Sequence, residues 1–252
     1  MTAGDTDTTQ DAFLGGGLTI RQPKHGYRAA TDPVFLAASI PAYAGQSVLE
    51  LGCGVGVAAL CLAKRIPMLK ITGLEIQKDY AALARCNARN NDIDLNIVEG
   101  DVMNMPRDIL DQSYHHVFFN PPFYEKLKIS APQDAGKSKA HVMDFTLEDW
   151  IVAGMKRLKP KARLSFIHRT EMLPDALGCL KKIAGDIMVK PLASRKNQPA
   201  KRIIITCRKG TKGPFILRPP LVIHDRDGHG QDGGDYSALA QSVLRGAQTL
   251  QM

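Results

Sequence analysis

The most constraining feature of the chain is a five-residue apolar run that enters a glycine turn and leaves it as a helix. Ser47-Val48-Leu49-Glu50-Leu51 has strand composition and leads directly into Gly52-Cys53-Gly54-Val55-Gly56. Val57 to Arg65 then carries helical composition. A strand, a tight glycine turn and a helix in that order open a doubly wound α/β sheet, and the small residues let backbone N–H groups approach a ligand closely.

Ile71-Thr72-Gly73-Leu74-Glu75 supplies a second strand, whose closing acid lies 23 residues after Gly52. A carboxylate at that strand tip is placed to accept hydrogen bonds from both hydroxyls of a ribose. The run Gly54-x-Gly56-x-x-Ala59 formally fits a dinucleotide-binding pattern. Glu50, however, puts a carboxylate against the turn, where it would repel a pyrophosphate and favour an ammonium or a sulfonium. S-adenosylmethionine therefore fits better than a nicotinamide dinucleotide. Asp79 to Asn91 has helical spacing, and Leu95 to Val102 is a third strand with its loop, which sets Asp101 at a further carboxyl end.

The chemistry is expected at Phe118-Phe119-Asn120-Pro121-Pro122-Phe123. Tyr114 to Phe119 reads as a buried strand that two prolines stop at Asn120, and Pro121 holds Asn120 out of the helical region. The Asn120 side-chain oxygen and the Pro121 carbonyl are uncharged acceptors that can grip both hydrogens of an exocyclic NH2. Positioned dipoles of this kind activate a delocalised nitrogen through orientation rather than proton abstraction. Phe123 offers a face on which a planar group can stack. An ordinary Asn-Pro turn after a strand is the plain alternative.

The chain has 252 residues, 44% of them hydrophobic, enough for one large α/β domain with appendages. No apolar run reaches the roughly 18 to 20 residues of a membrane span. Met1 to Gln10 is polar and acidic, unlike a secretory signal, so a cytoplasmic location is expected. The five cysteines stand apart without a Cys-x-x-Cys pair, which argues against a disulfide framework and a zinc ribbon, and no metal site is expected. Charge is uneven along the chain. Residues 1–150 carry 14 Lys and Arg against 18 Asp and Glu, a net of −4, while residues 151–252 carry 19 against 7, a net of +12. That asymmetry fits a polyanionic partner such as a nucleic acid. Within the basic part, Arg195, Lys196, Lys201 and Arg202 fall on an expected strand connection and are candidates for RNA phosphates, although an ordinary wet loop has the same composition.

Residues 1–16 are expected to be a disordered tail ahead of a single domain over 17–252. That domain divides into N-terminal cap elements (17–45), a core sheet (46–210) and a C-terminal extension (211–252). Thr31 or Asp32 before Pro33 starts a helix. Glu125 to His141 reads as a long polar loop able to fold over a substrate. A helix from Thr146 to about Leu158, a strand Leu164–His168, a helix Leu173–Ile183 and a last strand pair, Ile187–Val189 with Ile203–Cys207, complete the core.

The glycine turn, the two strand-end acids and the Asn-Pro-Pro-Phe run together make the chain resemble the class I S-adenosylmethionine-dependent methyltransferases that modify exocyclic nitrogens. Within them it is most similar to the bacterial tRNA (valine) adenine-N6 methyltransferase family, through Gly26–Asp32, Asn197–Ile205, Leu221–Ile223 and Asp235–Ser237. The resemblance implies a Rossmann-like fold whose seven-stranded, mostly parallel sheet has one antiparallel strand and helices on both faces. It implies S-adenosylmethionine as cofactor, with S-adenosylhomocysteine as product. Thr31, Glu50, Gly52, Cys53, Gly54, Gly56, Glu75, Ile76, Asp101, Val102 and Asn120 would surround that cofactor, while Asn120, Pro121, Pro122 and Phe123 would hold the target base of a tRNA. The residues alone leave open a protein glutamine amide or a ribosomal RNA guanine N2 as acceptor, and a noncatalytic RNA-binding protein on the same fold. Monomer and homodimer are equally compatible with the sequence.

Overall fold

The structure of the chain, a computed structural model, describes residues 7–122, 145–225 and 235–252. The chain opens with an antiparallel hairpin, β1 (Thr8–Phe13) and β2 (Leu18–Pro23), in unbroken register from Thr8↔Pro23 to Phe13↔Leu18. Helix α1 (Asp32–Ser39) follows, and seven of its eight residues are buried.

The alternating core is β3 (Ser47–Leu51), α2 (Val57–Arg65), β4 (Lys70–Glu75), α3 (Lys78–Asn90), β5 (Leu95–Glu99), α4 (Arg107–Leu110) and β6 (Tyr114–Phe119). It continues through α5 (Leu147–Arg157), β7 (Leu158–Arg169), α6 (Leu173–Ile183), β8 (Ala184–Arg195) and β9 (Ala200–Lys209). The chain then adds β10 (Ile216–Leu217), β11 (Leu221–His224) and α7 (Ala238–Leu244).

The main sheet runs β8-β9-β7-β6-β3-β4-β5, with every pairing parallel except those of β9 to its two neighbours. This is the expected seven-stranded sheet with one antiparallel strand, and it is the class I methyltransferase fold. Two short strands, β10 and β11, pair parallel with β8 and bring the sheet to nine.

Strand alternation sorts the core into two faces. Val48, Phe118 and Ile167 point into a cluster with residues of α1, α2, α3 and α7, while Leu49, Phe119 and Phe166 point into one with α4, α5 and α6. Each such fully buried large side chain contributes about 1.5–3 kcal/mol of transfer free energy. Phe119 stacks on Phe166 with centroids 5.0 Å apart and tilts against Trp150 at 5.6 Å, which fixes the tips of β6 and β7 under α5.

Two expectations about boundaries are corrected. Residues 8–13, expected within a disordered tail, form β1, because β2 presents a free edge that a polar but β-compatible segment can satisfy with backbone hydrogen bonds alone. The expected basic connection at 192–202 is mostly strand. Arg195 ends β8, Lys201 and Arg202 lie in β9, and a tight turn with Asn197 in the left-handed region at φ 62° joins them. The C-terminal extension packs back on the core, where the Leu250 N–H donates to the Ala38 carbonyl and Ser237 caps α7.

Candidate active site

The glycine turn has left-handed backbone at three positions, Gly52 (φ 63°), Gly54 (φ 55°) and Gly56 (φ 87°). At Gly52 a second constraint applies, since an added Cβ would lie 2.7 Å from the Trp150 ring. The requirement for glycine there comes from packing under the turn as well as from backbone conformation.

Glu75 is buried at the tip of β4 and ties the turn to its own loop: Oε2 accepts from the Gly54 N–H at 2.8 Å and Oε1 from the Gln77 N–H at 2.9 Å. A carboxylate offers about four lone-pair positions, so both oxygens keep capacity for further donors. Asp101 behaves alike, with Oδ1 accepting from the Met103 N–H at 2.9 Å. Val102 is buried beside it, and Ile76 is exposed.

Alternation in β3 turns Glu50 toward the helix face occupied by α2. There it is 3% exposed, and its carboxylate accepts from the Ala59 N–H at 3.0 Å. Burial, reinforced by Glu75, raises its pKa well above the usual carboxylate range. Among the described residues no cation pairs with it. Cys53 is likewise buried, and its thiol pKa is raised by burial and by both carboxylates, so it is an inert wall residue.

Asn120 follows β6, which neighbours β3 in the sheet, and with Glu50, Gly52, Cys53, Val55 and Tyr27 it lines one cleft of about 310 Å³. Its Nδ2 donates to the Tyr27 hydroxyl oxygen at 3.2 Å, and its Oδ1 is buried without a partner among the described residues. Tyr27 is half exposed, yet burial of its hydroxyl end, with Asp32, Glu50 and Tyr80 nearby, pushes its pKa up to about 12. The Tyr27 carbonyl in turn accepts from the Tyr80 hydroxyl at 3.2 Å. Pro121 is buried and Pro122 exposed, while Phe123 and the expected loop Glu125–His141 lie outside the described residues.

Tyr27 lies in the Gly26–Asp32 segment that carries the resemblance but has no role of its own in the sequence reading, and Asn87 has none either. Asn87 is fully buried in α3, where Nδ2 donates to the Arg21 and Val55 carbonyls and Oδ1 accepts from the Arg21 N–H. It ties the hairpin to the glycine turn. A polar residue on the apolar side of α3 was the available signal for Asn87; no local pattern marks Tyr27.

Thr31 precedes α1 and serves it through its carbonyl, which accepts from Val34 and Phe35, rather than through its side chain. Two of the four cations expected to meet RNA are engaged within the protein. Arg202 Nε donates to Asp32 Oδ2 at 3.0 Å, and Arg195 pairs with Asp235 at 3.4 Å. Lys196 and Lys201 are exposed.

These acceptors fit the cofactor type expected from the fold. A buried carboxylate without a cation suits an ammonium, acids at the tips of β4 and β5 suit hydroxyls and an amine, and the glycine turn leaves the cleft open between them. The family model for the methyltransferase small domain matches residues 30–172, which include every one of these elements.

The chain belongs to the methyltransferase small domain family.

Among relatives of this methyltransferase, it is 32% identical over 177 residues to the tRNA1(Val) (adenine(37)-N6)-methyltransferase of Porphyromonas gingivalis, covering 66% of this chain and 68% of the relative. It is 30% identical over 204 residues to the protein of the same name from Trichodesmium erythraeum, covering 76% and 82%. In structure it is similar to a predicted O-methyltransferase from Agrobacterium tumefaciens, with TM-score 0.71 at 20% identity, covering 88% of this chain and 99% of the other. Among the described residues no helix is long and apolar enough to cross a membrane.

Proposed function

We propose that this methyltransferase moves a methyl group from S-adenosylmethionine to the exocyclic N6 of an adenine in the anticodon-loop region of a tRNA, acting in the cytoplasm. The observation that carries the reading is the buried, unpartnered Asn120 Oδ1 in the cleft that also holds Glu50 and the glycine turn. An acceptor without a donor is costly to bury, by about 1–3 kcal/mol, and an amine entering the cleft relieves that cost. The two tRNA1(Val) adenine-N6 relatives support the choice of acceptor.

When bound, the cofactor supplies an electrophilic methyl on a sulfonium. The protein's part is geometry. Glu50, ionised beside a cation, offsets the ammonium of the methionine portion. Glu75 and Asp101 hold the ribose and the adenine amine with their remaining lone pairs, and Val102 walls the ring. Asn120 Oδ1 and the Pro121 carbonyl accept the two N–H bonds of the target amine, and Tyr27 fixes the Asn120 amide so that this oxygen stays aimed. Phe123, two positions beyond Pro121 and outside the described residues, is the residue proposed from the sequence to stack on the base. A loop adenine is already partly unstacked, so extruding it costs at most a few kcal/mol.

The test is methyl incorporation from labelled cofactor into tRNA, ribosomal RNA and protein from cells lacking this chain, followed by nucleoside analysis. N6-methyladenine in tRNA is expected. N2-methylguanine, or label in protein alone, removes the reading.

A further inference from the structure

A second cleft, open and of about 910 Å³, lies at the amino ends of β3, β6 and β7. It is roughly 13 Å down the strand from Asn120, at about 3.3 Å per residue. Its lining includes Tyr43, His115, His116, Lys159, Arg163 and Arg208. The sheet register makes this arrangement expensive. Arg163 lies beside His116 in the parallel pairing of β7 with β6 and directly opposite Arg208 in the antiparallel pairing with β9. Like charges on facing strand positions repel. Among the described residues the group has one carboxylate contact, Arg208 with Asp186 at 3.7 Å.

The cleft also holds buried polar atoms that lack partners among the described residues. Arg163 Nη1 is buried without a partner. The Ser47 N–H and hydroxyl meet His115 Nδ1 at 3.0 and 2.9 Å, and the Lys159 ammonium lies 3.0 Å from its Nε2. His116 is 5% exposed. Its Nε2 meets Gln46 Oε1, which already accepts the Tyr43 N–H, and its Nδ1 is left without a partner. Burial, followed by Arg163, holds the pKa of His116 near 4, and burial with Lys159 lowers that of His115. The surroundings are positive, and among the described residues Asp186, beside Arg208 and Arg163, offsets only part of that charge.

We propose that this cleft binds a phosphate group, presented either by an RNA backbone or by a small phosphomonoester, through Lys159, Arg163 and Arg208. Tyr43, 70% exposed at the rim, is placed to stack on an attached base. An oxyanion accepts from the Lys159 ammonium and the Arg163 guanidinium and offsets the Arg163–Arg208 repulsion. The phosphate chemistry stands apart from the identity of the methyl acceptor, and only its RNA source rests on the function proposed above.

The experiment titrates the full chain with inorganic phosphate, adenosine 5′-monophosphate and unfractionated tRNA, reading the His115 and His116 ring resonances and the affinity. Phosphate and the mononucleotide are expected to move both rings, and Lys159→Gln with Arg163→Gln is expected to weaken their binding at least tenfold. If RNA is the source, the double variant also lowers tRNA affinity and reduces the slope of log K against log salt by about 1 to 2. Unchanged tRNA binding with lost mononucleotide binding assigns the cleft to the small ligand. Because Arg163 is a core-strand residue, the exposed Tyr43→Ala is the second variant; it is expected to weaken the mononucleotide but not inorganic phosphate, and no weakening of either, or equal weakening of both, overturns the stacking role. Rings unmoved by all three ligands overturn the site. Absence of methyl transfer to tRNA with phosphate binding intact strikes only the proposed function.

Discussion

The amide of Asn120 donates to the hydroxyl oxygen of Tyr27 across 3.2 Å of space and 93 positions of sequence. Tyr27 is thereby a positioning residue for the acceptor that faces the target amine. Tyr27→Phe is expected to lower kcat about tenfold, equivalent to roughly 1.4 kcal/mol, with little change in thermal stability because the pair is partly exposed. With its pKa near 12, the hydroxyl stays protonated through pH 10, so a pH–rate profile of the wild type should show no limb from Tyr27 below that pH. An unchanged kcat in the variant removes the positioning role.

Glu50 is a carboxyl whose folded pKa lies above its unfolded one. Its effect on stability is therefore most favourable below the unfolded value of about 4.3 and declines as pH rises through the folded pKa. Glu50→Gln should raise the melting temperature of the ligand-free protein at pH 8, the gain shrinking toward pH 4, while weakening binding of the cationic cofactor. Equal melting temperatures at pH 8 would mean that the carboxylate is compensated within the protein.

Gly52→Ala is expected to cost about 1–3 kcal/mol through overpacking against Trp150, and a further ~1 kcal/mol through its left-handed backbone. Urea unfolding with an unchanged slope reads this directly. A loss of cofactor binding at full stability would instead make the turn's role purely one of ligand clearance.

For the β8–β9 hairpin, the ion pairs of Arg195 and Arg202 divide the four cations into two kinds. Neutralising Lys196 and Lys201 should reduce the salt dependence of tRNA binding by up to about 1 per phosphate contact. Arg202→Gln should act mainly by releasing Asp32 at the start of α1, at a stability cost of up to about 1 kcal/mol. The reverse pattern in the two salt slopes would show that the arginines leave their carboxylates to meet RNA.

The sequence made the order from β3 to β6 legible because each strand there is a compact apolar run ended by glycine, acid or proline, and each helix has a clear period. It was less clear where strands extend past the core. β7 begins at Leu158 rather than near Leu164, and β8 reaches Arg195, because their outer residues such as Lys159, Lys161 and Lys190 are polar and only the hydrogen-bonding ladder makes them strand. β1, Thr-Thr-Gln-Asp-Ala-Phe, carries no apolar alternation at all. At the site, Glu50, Gly52, Gly54, Glu75 and Asn120 stood out because each sits at a strand tip. Tyr27 did not, since its placement depends on a contact that no local spacing encodes. The cations of the hairpin looked free because their partners, Asp32 and Asp235, come from distant parts of the chain.

The central claim is that Asn120 orients the target amine rather than the cofactor, and Asn120→Ala tests it most directly when methyl transfer to tRNA and cofactor affinity are measured on the same preparation. The account predicts transfer reduced by about 10²- to 10³-fold, the scale of losing a preorganised transition-state contact, with the dissociation constant of S-adenosylmethionine within about threefold of wild type. Transfer at the wild-type rate, or a variant whose main defect is failure to bind the cofactor, would contradict it.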